Sequence, residues 1–341
     1  MPTQFWDIGQ WQGGGFCGIA ATRFSQRASD ALPKAAVEVA HVRRAGRRDE
    51  GLMANAILNG LLLGGMYALI AMGLTLQYGV ARIMNLAYGD FLIAASFGTY
   101  WLFTTWSINP LFGLALVVPF TFVLSWLVYG LLLTPLVKRA KSREALEVDS
   151  LLATFGLLFV IQGVVLVIFG GAYYSYSFLS VPVPVLGATL SANRILAFAV
   201  GTGLALGLYL ALKYTRTGTA IRAVAVNPVA SQLVAIDVRK AAAFAFALGG
   251  ALVAAAGLLV SMFLTFSAYM GVQFAMKALI IVIMGGVGNL LGSLVAGFVL
   301  GLTESLVATY VDPGLTLATN FTLFLIVLLV KPTGLFGTQA R

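Results

Sequence analysis

KYTRTGTAIRAVAVNPVASQLVAIDVRK, residues 213–240, is the stretch on which the reading of this chain turns. It sets Lys213, Arg216, Arg222, Arg239 and Lys240 against a single acid, Asp237, which is too much charge for hydrocarbon. It is also too long for a simple turn. Its middle alternates small residues with helix formers (Ala220, Ala223, Ala225, Ala230, Ala235), which predicts a short helical elbow. Apolar segments flank it at 194–212 and 241–266, and roughly 20 such residues carry a helix across about 30 Å of hydrocarbon. A polar helical connector between two spanning helices lies on a membrane face, where a soluble protein can hold it.

The same apolar pattern recurs outward from the elbow. Segments run at 54–79, 86–105, 110–137, 150–170 and 315–330, with one long apolar region at 274–310 that GGVGNLLGS (285–293) interrupts. A polar break from Val80 to Asn85 separates the first two, KRAKSREALEVD (138–149) forms a basic loop, and 171–193 is rich in Tyr, Ser and Pro. With 60% hydrophobic and only 10% charged residues, the chain departs from soluble domains, which are about one quarter charged. A membrane β-barrel would alternate apolar and polar positions, and LFGLALVVPFTFVLSWLVYGLLL (111–133) does not. The fold class is therefore an all-α polytopic membrane protein of 8–9 transmembrane helices. Nine result if 274–310 crosses twice, eight if its first half is re-entrant.

The formal charge of +9 reflects membrane topology and not a nucleic-acid surface. Arg82, the basic residues of 138–149 and 213–240, Lys331 and Arg341 fall on one side, which the positive-inside rule makes cytoplasmic together with the C-terminus. The connections near 106–109, 171–193, 267–276 and 310–314 hold no Lys or Arg, with Arg194 and Lys277 at their edges. Residues 1–52 differ from the rest, mixing Gly, Arg and Gln without a sustained apolar run. They read either as a disordered cytoplasmic tail or as an over-extended start preceding Met53. Nine crossings would place Arg43, Arg44, Arg47 and Arg48 outside, which favours the second reading or a helix count different by one. The membrane domain is then 53–336, with a short tail at 337–341. Cys17 and His41, the sole residues of their kinds, exclude an intrachain disulfide and a Cys/His metal cluster.

Two Gly-containing stretches are candidates for lining a path. NLAYGDFLIAASFG (85–98) places Asn85, Tyr88 and Asp90 around Gly89 at the start of a spanning helix. A carboxylate at membrane depth costs about 2.5–3.5 kcal/mol on insertion scales, so Asp90 either faces a wet cavity or caps a helix end at the interface. GGVGNLLGS, with Gly285, Gly286, Gly288 and Asn289, has the composition of an interrupted helix, tolerated only where protein or water satisfies the backbone. Its likeness to 85–98 suggests an inverted repeat with corresponding breaks. Glu304 is the second intramembrane acid, and its plainer reading is proximity to the outer end of its helix. Most other glycines serve close helix packing. The chain has no GxxxxGK[ST], GxSxG or HExxH motif, so neither catalytic nor metal-binding residues are expected.

GLLLGGMYALIAMGLTLQYGVARIMNLAYGDFLIAASFGTYW (60–101), RTGTAIRAVAVNPVASQLVAID (216–237) and KALIIVIMGGVGNLLGSLVAGFVLGLTES (277–305) together resemble the permeases of branched-chain amino acid ABC transporters, from about Met53 to Phe336. The resemblance implies an inner-membrane permease subunit of a bacterial importer for branched-chain amino acids or related small polar solutes such as amides and urea. It implies a second, related permease subunit, two cytoplasmic ATPase subunits that carry the ATP, a periplasmic substrate-binding protein, and no cofactor on this chain. Positions matching the family's ATPase-coupling motif are Gly218, Arg222, Ala223, Asn227, Ala230 and Ile236, with Ala225 between them. Members commonly carry histidine where Tyr88 stands, glutamate where Asp90 stands and glycine where Ala235 stands, and here Pro228 follows Asn227. The alternative is an ATP-independent secondary transporter or channel, which would want paired intramembrane acids, and here only Asp90 and Glu304 are at hand.

Overall fold

VRKAAAFAFALGGALVAAAGLLVS is almost all small or aliphatic, and a helix of that composition can be approached closely from every side. In the computed structural model, which describes residues 52–139, 142–185 and 188–337, it is the central helix, Val238–Ser261, with 89% of its spanning window buried. The expectations for residues 1–51 and for the last four residues lie outside the described residues.

In chain order, α1 is Leu52–Ala81, α2 Tyr88–Trp106, α3 Pro110–Arg139 and α4 Arg143–Phe169. A small antiparallel hairpin of β1 (Pro182–Val185) and β2 (Ala188–Ser191) pairs Pro182 with Ser191 and precedes α5, Ala192–Tyr214. The elbow holds α6 (Arg216–Val226) and α7 (Pro228–Leu233), and the central helix is α8. Then come α9 (Gly271–Gly285), α10 (Leu290–Tyr310) and α11 (Thr316–Val330). Among the described residues eight helices are long and apolar enough to cross a membrane, so the chain is an all-α polytopic membrane protein. Both halves of 274–310 are among the eight. The ninth long helix, α2, is the less apolar one because Tyr88, Asp90 and several Thr and Ser residues interrupt it.

Helices α1, α2 and α8 form the interior. The spanning windows of α3, α4 and α11 are only 22%, 17% and 6% buried, and they turn Phe, Leu and Val outward. Where α1 crosses α10 the two backbones meet, a Cβ on Gly301 falling within 2.3 Å of the Gly64 Cα. Lipid supplies no hydrophobic drive between helices, so such approaches gain their energy from dispersion. The basic loop is shorter than expected. Ser142 accepts from the Ala145 amide at 3.1 Å, and α4 begins there, reaching into water before it enters the apolar run.

Contacts sort the connections into two ends. At one, Tyr78 meets Glu147, Arg82 meets Ala225, and Gly286 meets the 334–337 turn. At the other, Thr189 meets Asn55, Arg194 meets Asn59, and Tyr174 bridges to Phe266.

An ion pair ties four helices in the far half. Lys277 Nζ donates to Glu304 Oε1 and to the Tyr67 hydroxyl, both at 2.7 Å, and Asn320 Nδ2 donates to Glu304 Oε2 at 3.2 Å. Lys277 thus belongs to the body of α9 and not to the edge of a connection. Both side chains are largely buried, at 16% and 12% exposure. Removing one charge leaves the other uncompensated. Lys277→Met or Glu304→Gln alone is expected to cost about 3–5 kcal/mol. The double variant should recover most of that, as read from thermal unfolding of the detergent-solubilised protein.

Candidate functional site

The elbow is built by caps. Thr215 accepts from the Gly218 amide at 3.0 Å and starts α6. Asn227 ends α6 and caps α7, accepting from Val229 and Ala230 at 3.1 Å, and Pro228 stands at the first helical position, where its missing N–H costs nothing. Asp237 accepts from the Arg239 and Lys240 amides and starts α8. The Lys240 amide leads the influences that hold the Asp237 carboxyl below the usual carboxylate range.

One face of α6 is inside. Ile221 and Val224 are buried, and Gly218 lies so close to the end of α5 that a Cβ would come within 2.4 Å of the Leu212 Cα. Ala223, Ala225 and Ile236 are half-buried, while Arg222, Asn227 and Ala230 are exposed. Arg222 donates to the Lys213 carbonyl at 3.1 Å, at the negative end of the α5 dipole.

The opposite face has its own character. Val226, Val229, Leu233 and Val234 are 85%, 70%, 85% and 69% exposed, an aliphatic knob on a polar connector. A groove of about 430 Å³ on the elbow is lined by Arg216, Asp237, Lys240, Trp126 and Phe244. Matching motif positions pointed to Gly218 and the alanines and missed these four residues. Their signal was available in the sequence as aliphatics set between charges.

The second region is a break in the interior. The Arg82 amide makes the last helical bond of α1, to the Tyr78 carbonyl at 3.1 Å, its φ of 56° is left-handed, and the chain from there to residue 87 lies outside both helices. This segment re-enters the bundle, because the Tyr88 hydroxyl donates to the Ile70 carbonyl at 2.7 Å. At 1.5 Å per residue that lies roughly 16 Å of helix short of the α1 end. Thr154 on α4 clips the segment by accepting from the Leu86 amide at 3.2 Å, while its single hydroxyl proton faces the Ser150, Met84 and Leu151 carbonyls at 2.8, 3.1 and 3.2 Å. Gly89 and Asp90 abut Gly271 at the start of α9. Asp90 is 2% exposed and makes no side-chain cap bond, and its Oδ2 has no partner among the described residues. The capping reading of Asp90 therefore fails for lack of a donor, whereas Tyr88 is fully enclosed and acts as a pin.

GGVGNLLGS forms the second interruption. Gly285 packs on Gly292, Gly286 adopts φ +98° against Gly337, and Gly288 lies near Gly79. Asn289 accepts from the Gly292 amide and donates to the Phe336 carbonyl, both at 3.0 Å. These residues close a tight turn between α9 and α10. Ser293 bonds Thr75 at 2.6 Å and Asn85 bonds Gln77 at 3.2 Å, so the two stretches lie against the same turns of α1. Glu304 sits in the far half, paired with Lys277.

Spanning helices wrapped about an interrupted interior segment, with a capped elbow at one end, define a multi-pass membrane protein. The chain belongs to the family of the branched-chain amino acid transport system permease component, whose model matches residues 56–330. It is 28% identical over 291 residues to the high-affinity branched-chain amino acid transport system permease protein LivH of Escherichia coli K12, covering 82% of this chain and 94% of that one. It is also 28% identical to the probable branched-chain amino acid transport permease protein LivH of Methanocaldococcus jannaschii, covering 83% and 92%. A further relative is the ribose import permease protein RbsC of Haemophilus influenzae, 28% identical with 73% and 76% covered.

Ala235 closes the elbow with φ 61°, at the position where the family resemblance expects glycine. A left-handed residue with a Cβ is strained by about 1–2 kcal/mol. Ala235→Gly is expected to raise stability by about 1 kcal/mol in a thermal melt, net of the backbone freedom that glycine gains when unfolded.

Proposed function

We propose that this chain is the membrane subunit of an ATP-driven importer, and that its elbow is the handle by which a soluble ATPase moves it. The observation that carries this reading is the aliphatic knob of Val226, Val229, Leu233 and Val234. Four exposed aliphatics on a charged connector outside hydrocarbon call for a protein cover. The elbow end and the C-terminus are then cytoplasmic, in a bacterial inner membrane. Two ATPase subunits bind ATP, a second and related permease subunit completes the path, and a periplasmic binding protein delivers the solute.

The names of the relatives favour branched-chain amino acids as cargo, and the sequence resemblance adds short amides and urea as related solutes. The runner-up is a transporter or channel that works without ATP. It asks for intramembrane acids free to take up a coupling ion, and the pairing of Glu304 with Lys277 removes one of the two.

Leu233→Glu and Val229→Glu test the handle without touching the interior. Each is expected to cut co-purification of the ATPase subunits and ATP-driven leucine uptake about tenfold or more, the loss of an interface anchor, while the melting temperature of the permease stays put. Full uptake by both variants would overturn the proposal. Parallel uptake of urea, short amides, aromatic acids and ribose assigns the cargo.

A further inference from the structure

The groove of about 430 Å³ on the elbow lies where α3, the first turns of α6 and the start of α8 meet. Its wall is apolar, with Trp126, Ile221, Ile236 and Phe244, and its rim carries Arg216, Thr217, Asp237 and Lys240. Trp126 fixes its height. At 1.5 Å per residue this side chain stands roughly 24 Å along α3 from Pro110, near the elbow-side limit of a hydrocarbon layer about 30 Å thick. Tryptophan is favoured at that level, where its ring is apolar and its N–H can stay wet. An aromatic line leads from it into the bilayer. Phe122 lies against Trp126 at 6.3 Å between ring centroids and edge-on to Phe244 at 5.6 Å, and Val123 beside it is exposed.

The charges on the rim do not balance. Asp237 is committed, its Oδ1 accepting from the Arg239 and Lys240 amides at 3.1 Å and its Oδ2 lying 3.5 Å from Lys240 Nζ. Asp237 and Lys240 therefore offset one another. Arg216 has no carboxylate partner among the described residues, which leaves the rim one net positive charge. The hydroxyls divide in the same way. Thr215 and Thr219 return theirs to the Ala211 and Thr215 carbonyls, while the Thr217 hydroxyl makes no hydrogen bond among the described residues. An apolar trough at the hydrocarbon boundary, with an unbalanced guanidinium and a hydroxyl at its polar end, matches an amphiphile with an anionic head.

We infer that this groove binds an anionic phospholipid of the leaflet on the elbow side, its phosphate held by Arg216 and Thr217 and the start of an acyl chain lying along Trp126 and Phe244 toward Phe122. The site needs only the spanning fold and not the ATP-driven reading. Arg216 and Thr217 open α6, whereas Val226 of the exposed knob ends it, so the lipid and a soluble partner would hold opposite ends of one short helix. A zwitterionic headgroup brings its own cation to the same rim and gains less. A soluble acidic segment would meet the charge and leave the aromatic wall without a chain.

The experiment is quenching of tryptophan fluorescence by lipids with brominated chains, on the purified full-length chain in nanodiscs, with and without co-purified ATPase subunits. The contribution of Trp126 is the difference between wild type and Trp126→Phe. Brominated phosphatidylglycerol is expected to quench it at about fivefold lower mole fraction than brominated phosphatidylcholine, the effect of one cation at a membrane surface. Arg216→Gln should erase that preference. Arg239→Gln, an equal loss of charge on the same connector outside the groove, should leave it intact. Melting temperatures in the two lipids give a second readout that does not rely on Trp126→Phe: stabilisation by phosphatidylglycerol is lost in Arg216→Gln and kept in Arg239→Gln. Equal quenching of the wild type by both lipids overturns the site, as does an Arg239→Gln effect equal to that of Arg216→Gln. Relief of the quenching by glycerol 3-phosphate assigns the rim to a free phosphate and overturns the lipid, and relief by the ATPase subunits assigns the groove to a protein and does the same. Leucine uptake and ATPase co-purification, followed in parallel, depend on the knob, so failure of either reading leaves the other standing.

Discussion

An unwound backbone inside a bilayer has no water to bond, and the contact that permits one here is the hydroxyl of Thr154. It accepts from the Leu86 amide and shares its one proton between the Ser150 carbonyl of its own helix and the nearby Met84 carbonyl, so that a segment outside both helices can lie between α1 and α2. From that clip follow the depth at which α2 begins and the meeting of Gly89 with Gly271. The Tyr88 hydroxyl, bonded to Ile70, fixes the other end of the break. The break is thus held by one hydroxyl on each side, and the interior helices pack around it.

Much of this was legible in the sequence, and for physical reasons. Spanning helices announce themselves by length and apolarity, and their starts by caps: Thr215, Asn227 followed by Pro228, and Asp237 all stand where backbone amides need an acceptor. The polar run at 80–85 marked the break in the first span. The partners of the two interruptions were not legible, because composition does not say what satisfies an unwound backbone. Asn85 bonds Gln77 and Ser293 bonds Thr75, so both stretches lie against the same turns of α1. Pairing across the fold was equally hidden. Lys277 and Glu304 are 27 positions apart, outside any helical spacing rule, and only the packing of α9 on α10 joins them.

The division of burial also separates two kinds of small residue. In α8 the alanines and glycines are enclosed and set how near α1 and α2 can come. In the elbow, Gly218 performs that service for α6 against α5, whereas Ala230 is open to solvent. A matching motif does not distinguish them. Exposure does, and it moves the weight of recognition from the alanines to the neighbouring valines and Leu233.

The elbow and the break are joined by one residue. Arg82 terminates α1 in a left-handed conformation, opens the unwound segment, and donates through its guanidinium to the Ala225 carbonyl of α6 at 3.2 Å. It is therefore bonded at once to the helix that the proposed motor would grip and to the unwound segment. Helix α8 adds a second, covalent link, since Asp237 starts it from the elbow and Phe246 in its body anchors the Gln77–Asn85 relay. A force that displaces α6 thus acts on both sides of Asn85, through Arg82 from the chain before it and through the Phe246 carbonyl from the relay behind it. With the elbow as the handle, the bonds around Asn85 are those that a moving elbow would disturb first.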